Sequence, residues 1–410
     1  MTSLLIITPF LPYPICSGGD QAQYNVIENL RQFYNISLVF PINQDNHRGD
    51  IQELSSRWQN VKFYPFSLKD QLLSFPFLIR KIGKVWNRYI NPNRRRSTIA
   101  QAIDSKDFLL SKRYVAFLNR IINDNQPEII QVEFLPNLNV IECLPKGIKK
   151  VFIHHEVGFV IIERALKDFV LTKSQQQKVI QKKKLEISRL NLYDSVITVT
   201  EKDKKILQDS GVEVPIYVSP SAVNTSVKNY DGWNRKIVFV GGYNHRPNHE
   251  GMDWFLSQIT SLIKWEDFPQ TELIIIGTGW PQSYKGEHNG LKVNLLGYVD
   301  DLATVVYGSV MIVPLLTGSG MRMKILDAAA LSVPFVATSV GAEGLDFSDG
   351  NSCVIGDTDK EFAEGLVKLM KDDKLREDMA KRSHQIFLEK YSLSALIENR
   401  HNIYKEILSD

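Results

Sequence analysis

Arg322, Lys324 and Asp327 stand in one run, TGSGMRMKILDAAALSVPFVATSVGAEGL, Thr317 to Leu345. Two basic side chains and a carboxylate interrupt a helix-like stretch of Met, Ile, Leu and Ala. Lys324 and Asp327 are three apart, so they share a helical face, about 4.5 Å apart along the axis. A strand ends near Pro314, and Gly318 and Gly320 then flank Ser319. Glycines there let a ligand approach the backbone, and a helix start favours anions. A phosphate would meet the helix start and Lys324, with ribose hydroxyls on Asp327 one turn on. Charge-assisted hydrogen bonds of this kind contribute roughly 1.5–3 kcal/mol each. Arg322 points the other way on a regular helix and joins the site only if it precedes the first full turn. The competing reading is a surface ion pair worth about 0.2–0.5 kcal/mol.

Other residues invite weaker readings. Gly18-Gly19 is a turn signal. His154-His155 follows a strand and is a buried polar pair or a pair of metal ligands; no carboxylate or cysteine cluster at metal spacing accompanies it. The GTG of Gly277 to Gly279 follows a strand but lacks the third glycine of a dinucleotide fingerprint, which argues against NAD.

Short β-branched runs alternate with helical patterns and must position these residues. LLIIT, ISLVF, EIIQVEF, VFIHH and SVITVT form one series; KIVFVGG, ELIIIG, VNLLGYV, VMIVPL and PFVAT form a second. AQYNVIENLRQF, EGMDWFLSQITSLI and KEFAEGLVKLMKDDKLREDMAKRSHQIFLEKY read as helices. Such alternation predicts parallel sheets, and strands apolar throughout are buried on both faces. The fold class is α/β, with two doubly wound Rossmann-like domains facing a cleft. The polar stretch YVSPSAVNTSVKNYDGWNRK marks the break. The expected divisions are 1–220, 221–390, and a final helix, 391–410, that returns to the first domain.

The bulk composition narrows the function. The 410 residues suit two domains, and 43% hydrophobic content implies packed cores. A net charge of +3 is too small for a dedicated nucleic-acid binder. Three dispersed cysteines, Cys16, Cys143 and Cys353, fit a reducing compartment. No apolar run reaches the length of a membrane span, so a cytoplasmic protein is expected, with any membrane contact peripheral. One segment, FPFLIRKIGKVWNRYINPNRRR (75–96), mixes Lys and Arg with aromatics. It is either an amphipathic helix touching anionic lipid or a solvated basic face packed on its domain.

The stretch GSGMRMKILDAAALSVPFVATSVGAEGL resembles the donor-site signature of glycosyltransferase family 4, retaining enzymes of the GT-B fold found in bacterial polysaccharide biosynthesis. FVGGYNHRPNHEGMDWF, IIIGTGWP and LLGYVDDLATVVYGSVMIVP are similar to that family's C-terminal domain. ITPFLPYPICSGGDQAQYNVIENL, IQVEFLPNL and VFIHHEVGFVIIER are similar to its N-terminal domain. The resemblance implies a sugar transferred from a nucleotide-diphosphate donor to a polysaccharide or lipid-linked acceptor, without a metal. It implies that Lys324 and Arg322 neutralise the leaving diphosphate and that Asp327 holds the ribose. By the same resemblance Gly18, Gly19, Arg246, Asn248, Gly279, Ser319 and Gly320 line the donor, and Tyr298 and Val299 flank the base. His155, or its neighbour His154, faces the sugar, and Glu133 lines the acceptor side. Ser319 stands where the family often has a glutamate. Asp357-Thr358-Asp359 is similar to a DxD metal motif, but its place before a helix reads as a cap. Alternatives are a non-catalytic nucleotide-sugar-binding subunit of a glycan assembly complex, or a nucleotide-sugar epimerase.

Overall fold

A computed structural model describes residues 1–15, 18–42, 47–67, 103, 110–167, 169–223, 232–318 and 320–409. Ser319, Cys16 and the basic stretch 75–96 lie outside them. The chain divides into two compact units. One comprises Met1–Ile15, Val26–Ser219 and Asn399–Asp410; the other comprises Cys16–Asn25 and Pro220–Glu398.

The first unit carries strands β1 (Ser3–Ile7), β2 (Asn35–Ile42), β3 (Val61–Ser67), β4 (Ile129–Glu133), β5 (Lys149–His154), β6 (Ser195–Thr198) and β7 (Ile216–Val218). They pair in parallel in the order β3-β2-β1-β4-β5-β6-β7. Leu4 to Ile7 of β1 are almost wholly screened from solvent because β1 sits inside the sheet. The order reverses between β1 and β4, and ligands of doubly wound sheets bind at such a point. Helices α1 (Gly18–Leu30), α2 (His47–Arg57), α3 (Lys112–Asn125), α4 (Gly158–Ala165), α5 (Lys173–Leu190) and α6 (Glu201–Asp209) alternate with the strands.

The second unit orders its strands β10-β11-β9-β8-β12-β13-β14. These are β8 (Lys236–Val240), β9 (Glu272–Ile276), β10 (Gly286–His288), β11 (Leu291–Gly297), β12 (Val310–Val313), β13 (Phe335–Ala337) and β14 (Val354–Ile355). Pairing is parallel except for the β10–β11 hairpin. Its helices are α7 (Arg246–Trp254), α8 (Ala303–Val306), α9 (Met323–Ala330), α10 (Asp359–Lys371) and α11 (Asp373–Lys390), and a final helix α12 spans Leu393–Ser409. Strand side chains alternate between two cores. Ile237, Phe239, Leu273 and Ile312 join Met252 and Phe362 in one core. Val238, Ile274, Met311 and Phe335 join Ile325, Leu326 and Ala329 in the other.

Local chemistry moves several expected boundaries. The stretch EGMDWFLSQITSLI is helical only to Trp254, then passes through a π turn, Phe255–Ile259, and a 3-10 turn, Thr260–Leu262. Thr260 Oγ1 donates back to Leu256 O at 2.6 Å, a bond that competes with the regular ladder. The long run after Lys360 splits into α10 and α11, because Asp372 turns out of the helix and accepts the Leu375 N–H. Thr358 caps α10 in a reciprocal box with Glu361, so Asp357-Thr358-Asp359 acts as a cap. Among the described residues no helix is long and apolar enough to cross a membrane.

Gly251 brings α7 onto the end of β12: a Cβ there would lie 2.3 Å from Pro314 O. Backbone cannot yield as a side chain does, so Gly251→Ala is expected to destabilise the protein by about 1–3 kcal/mol. A thermal melt equal to wild type would refute that close approach.

Candidate functional site

In the second unit the strand order reverses between β8 and β12. Helices α7 and α9 follow those two strands, so both begin at this switch point. The Gly-rich loop leading to α9 needs its glycines: Gly318 has φ +125°, Gly320 has φ +73°, and a Cβ on Gly318 would lie 2.9 Å from the Arg322 guanidinium. Arg322 is the N-cap residue of α9, outside the first full turn, with φ −91° and ψ 88°. It is 7% exposed and donates to Gly320 O at 3.0 Å. The condition for its joining Lys324 is therefore met.

Lys324 is half-buried, with its Nζ 2.7 Å from Asn248 Oδ1 and 4.3 Å from the centre of the Phe239 ring. Asn248, in the first turn of α7, donates in turn to Gly242 O at 2.9 Å. An amide with one end on backbone and the other on an ammonium has little choice of orientation. Burial lowers the Lys324 pKa to about 7; the Arg322 charge adds to this and Asp327 opposes it. Asp327, one turn along α9, accepts from Gln21 Nε2 at 3.1 Å. Burial raises its carboxyl to about 6, against the pull of Gln21 and Lys324.

Gly18 opens α1, and a Cβ there would lie 3.1 Å from Met323 Cγ, so its start lies close against α9. Gly19 is the next residue of that turn. The geometry thus brings together Gly18, Asn248, Gly320, Arg322, Lys324 and Asp327. Arg246 is turned elsewhere: it is exposed and pairs with Glu250 at 2.6 Å, while Glu250 accepts from Thr317 at 3.0 Å. Gly279 follows β9 with φ +84°. Tyr298 is 57% exposed just after β11, two strands from β8, and Val299 packs on the core.

Two residues of this group were not singled out in the sequence. His245 immediately precedes α7; the protein packed around it, then the Lys324 and Arg322 charges, lower its imidazole pKa. Gln21 lies on the first turn of α1. The signals were position alone: the residue before a helix start, and the second residue beyond a Gly pair.

In the first unit His154 is fully buried with Nε2 3.1 Å from Glu186 Oε1. Glu186 also accepts the N–H groups of Gly158 and Phe159, which open α4, so this pair anchors a helix start. His155 stacks on Phe134, ring centres 4.0 Å apart and 9° from parallel, and its Nε2 lies 2.9 Å from Glu133 Oε2. Glu133 is 2% exposed. Its oxygens are taken by His155 and Gln131, a placement for holding the histidine rather than for meeting an acceptor. Among the described residues no group of three or more His, Cys, Asp or Glu is placed to hold a metal ion.

Comparison with known proteins matches the second unit's fold to a chemistry. Residues 234–372 match the family model described as glycosyl transferases group 1. The protein is a transferase. Over its full length it is 21% identical to an uncharacterized 44.6 kDa protein in the cps region of Klebsiella pneumoniae, covering 99% of this chain and 100% of that one. Its fold is shared with sucrose-phosphate synthase from Thermosynechococcus elongatus (TM-score 0.69, 12% identity, 100% of both chains). A pneumococcal O-GlcNAc transferase in complex with UDP and GlcNAc shares it too (TM-score 0.63, 11% identity, 100% and 99% of the chains). Two Rossmann-like units of this kind make the transferase a GT-B protein.

Proposed function

We propose that the protein is a retaining hexosyltransferase that takes a sugar from a nucleotide-diphosphate donor and places it on a polysaccharide or lipid-linked acceptor. One observation carries the reading: Lys324, locked by Asn248 at the switch point of the group 1 domain, with Asp327 one turn away. The diphosphate sits on Lys324, Arg322, His245 and the α7 and α9 helix starts. Asp327 and Gln21 hold the ribose. Gly279, Tyr298 and Val299 flank the base. As the glycosidic bond breaks, negative charge grows on the diphosphate, and preorganised cations stabilise it without reorganising. The carboxylate one turn from Lys324, Asp327, is taken by the ribose, so retention proceeds with the acceptor hydroxyl entering on the face the phosphate leaves. His155 serves the acceptor on the first unit. The pneumococcal structure, with UDP and GlcNAc bound to the same fold, supports a nucleotide-sugar donor. The relative named for a cps region supports a glycan product.

The test is a panel of UDP- and GDP-sugars, each incubated with the protein and a bacterial membrane extract, with released nucleotide and product anomer measured. Release of one nucleotide with an α-linked product from an α-linked donor is expected. Binding of nucleotide with no release from any donor would favour the non-catalytic subunit instead.

A further inference from the structure

A buried polar chain crosses the first unit and ends on His155. Arg400, on α12, is 2% exposed and donates through Nε to Ser219 Oγ at 3.0 Å. Its Nη1 reaches the Tyr404 hydroxyl oxygen at 3.5 Å. The Tyr404 hydroxyl donates to Gln131 Oε1. Gln131 Nε2 donates to Glu133 Oε1, and Glu133 Oε2 meets His155 Nε2. Gln131 and Tyr404 are completely buried.

The direction of every bond in this chain is fixed by chemistry. A guanidinium only donates, so the Tyr404 oxygen accepts and its hydrogen goes to Gln131. That sets the Gln131 amide with its NH2 toward Glu133. An ionised carboxylate only accepts, so His155 must present Nε2–H. Nδ1 is then the nitrogen left with a lone pair. The Arg400 cation, three hydrogen bonds away, offsets the buried Glu133 charge, and such a network holds its members more firmly than any pair alone. Phe134, which stacks on His155, has φ +65° and ψ 145°. That conformation is costly for a bulky residue and persists where surroundings enforce it, commonly at functional sites.

We propose that α12, through Tyr404 and Gln131, holds the Glu133 carboxylate that fixes the tautomer of His155, so that Nδ1 accepts a hydrogen bond from a hydroxyl of an acceptor bound on the first unit. This rests on the reading that His155 serves transfer. Arg400, Tyr404, Gln131 and Glu133 are positioning residues; none touches substrate.

The experiment is imidazole ¹⁵N NMR on the full-length protein, with His155 assigned from His155→Gln. Tyr404→Phe fills the same space and lacks only the hydroxyl; Glu133→Gln replaces an acceptor by an amide that can donate or accept. Wild type is expected to show one tautomer, Nε2–H; Glu133→Gln, whose amide meets either tautomer, a mixture; and Tyr404→Phe, which keeps the carboxylate but frees Gln131, Nε2–H with a shifted resonance, backbone amide spectra otherwise retained. The activity arm expects kcat lowered about tenfold in Tyr404→Phe, with donor KM within a factor of two. A wild-type mixture, Nε2–H alone in Glu133→Gln, or an unshifted Nε2–H resonance in Tyr404→Phe overturns the relay. A shifted Nε2–H resonance with unchanged kcat in Tyr404→Phe supports the relay and overturns the role of His155 in transfer. If instead the variants lose tertiary structure, Gln131→Glu is read: a carboxyl there must surrender its donor to Glu133 or carry a proton. An unchanged Nε2–H signal in that variant also overturns the relay.

Discussion

Lys324→Met binds a UDP-sugar roughly 10- to 150-fold more weakly than wild type, the loss of one or more charge-assisted hydrogen bonds to the diphosphate. Isothermal titration measures it. Methionine keeps the length and apolar stem of lysine, so the Phe239 contact and the packing of α9 are conserved in volume. The effect on stability has the opposite character. Burial holds the Lys324 ammonium at a pKa of about 7, so the folded protein bears a cost for keeping that charge where it is. Removing the charge removes the cost. Against this stands one lost hydrogen bond at Asn248 Oδ1. The melting temperature is therefore expected to stay level or rise while affinity collapses. A residue kept only for packing would show the reverse, and unchanged affinity would remove the diphosphate from this site.

Asp327→Ala acts on a different part of the ligand and is expected to weaken binding about 10-fold, with Gln21 losing its carboxylate partner. If the ribose is its target, the loss appears with UDP-sugars and not with inorganic pyrophosphate, whereas Lys324→Met weakens both.

Where sequence and structure agree, a local rule decided the outcome. The central strands LLII, IIQVE and VFIH are buried throughout and mostly apolar because both faces are covered, so they were visible as runs. VKFYPFS (β3) was missed because it is an edge strand: it alternates, and Pro65, tolerated only at an edge, reads as a breaker. IYV and VI, β7 and β14, are too short to show a period. The site was visible through the Gly loop, Lys324 and Asp327, which are near neighbours in sequence. Of its partners from elsewhere in the chain, Asn248 and Gly18 were named only through the family resemblance, and Gln21 was not named. Asn248 reaches Lys324 across 76 positions and Gln21 reaches Asp327 across 306. Only the parallel topology, which gathers loops from one end of many strands, brings such residues together. Glu133 shows the same limit: the family resemblance implied an acceptor contact, and only the structure shows it buried between Gln131 and His155.

Affinity for the UDP-sugar falls as pH rises through about 7, the Lys324 value in the free protein. The sign follows from linkage. The dianionic ligand prefers the ammonium form, so binding is full below that value; above it a proton must be taken up for each ligand bound. The slope approaches tenfold per pH unit until the ligand-bound pKa is reached. Between pH 6.5 and 8.5 that amounts to a loss of roughly twentyfold. A UDP-sugar is the right probe, because UDP itself carries a terminal phosphate that titrates near 6. His245 and Asp327 act in the same sense. His245, held below its ordinary pKa chiefly by the protein around it, gains charge only in more acid solution. Asp327, raised to about 6, loses its negative charge there while its carboxyl still bonds a hydroxyl. The two α9 groups also contribute least to folding between about 6 and 7, where both are charged against the pull of burial. Below that window the folded state holds the Asp327 proton that the unfolded state releases; above it, the folded state has already shed the Lys324 proton. Stability from these groups rises in either direction. The ligand thus binds at the pH where the site is most strained without it. Two variants separate the contributions. Lys324→Arg, charged throughout, flattens the curve between pH 7 and 9. Asp327→Asn, which withdraws the carboxylate that supports the ammonium, moves the midpoint to lower pH. A wild-type affinity that is constant from pH 6.5 to 8.5 would show that Lys324 carries no part of the diphosphate.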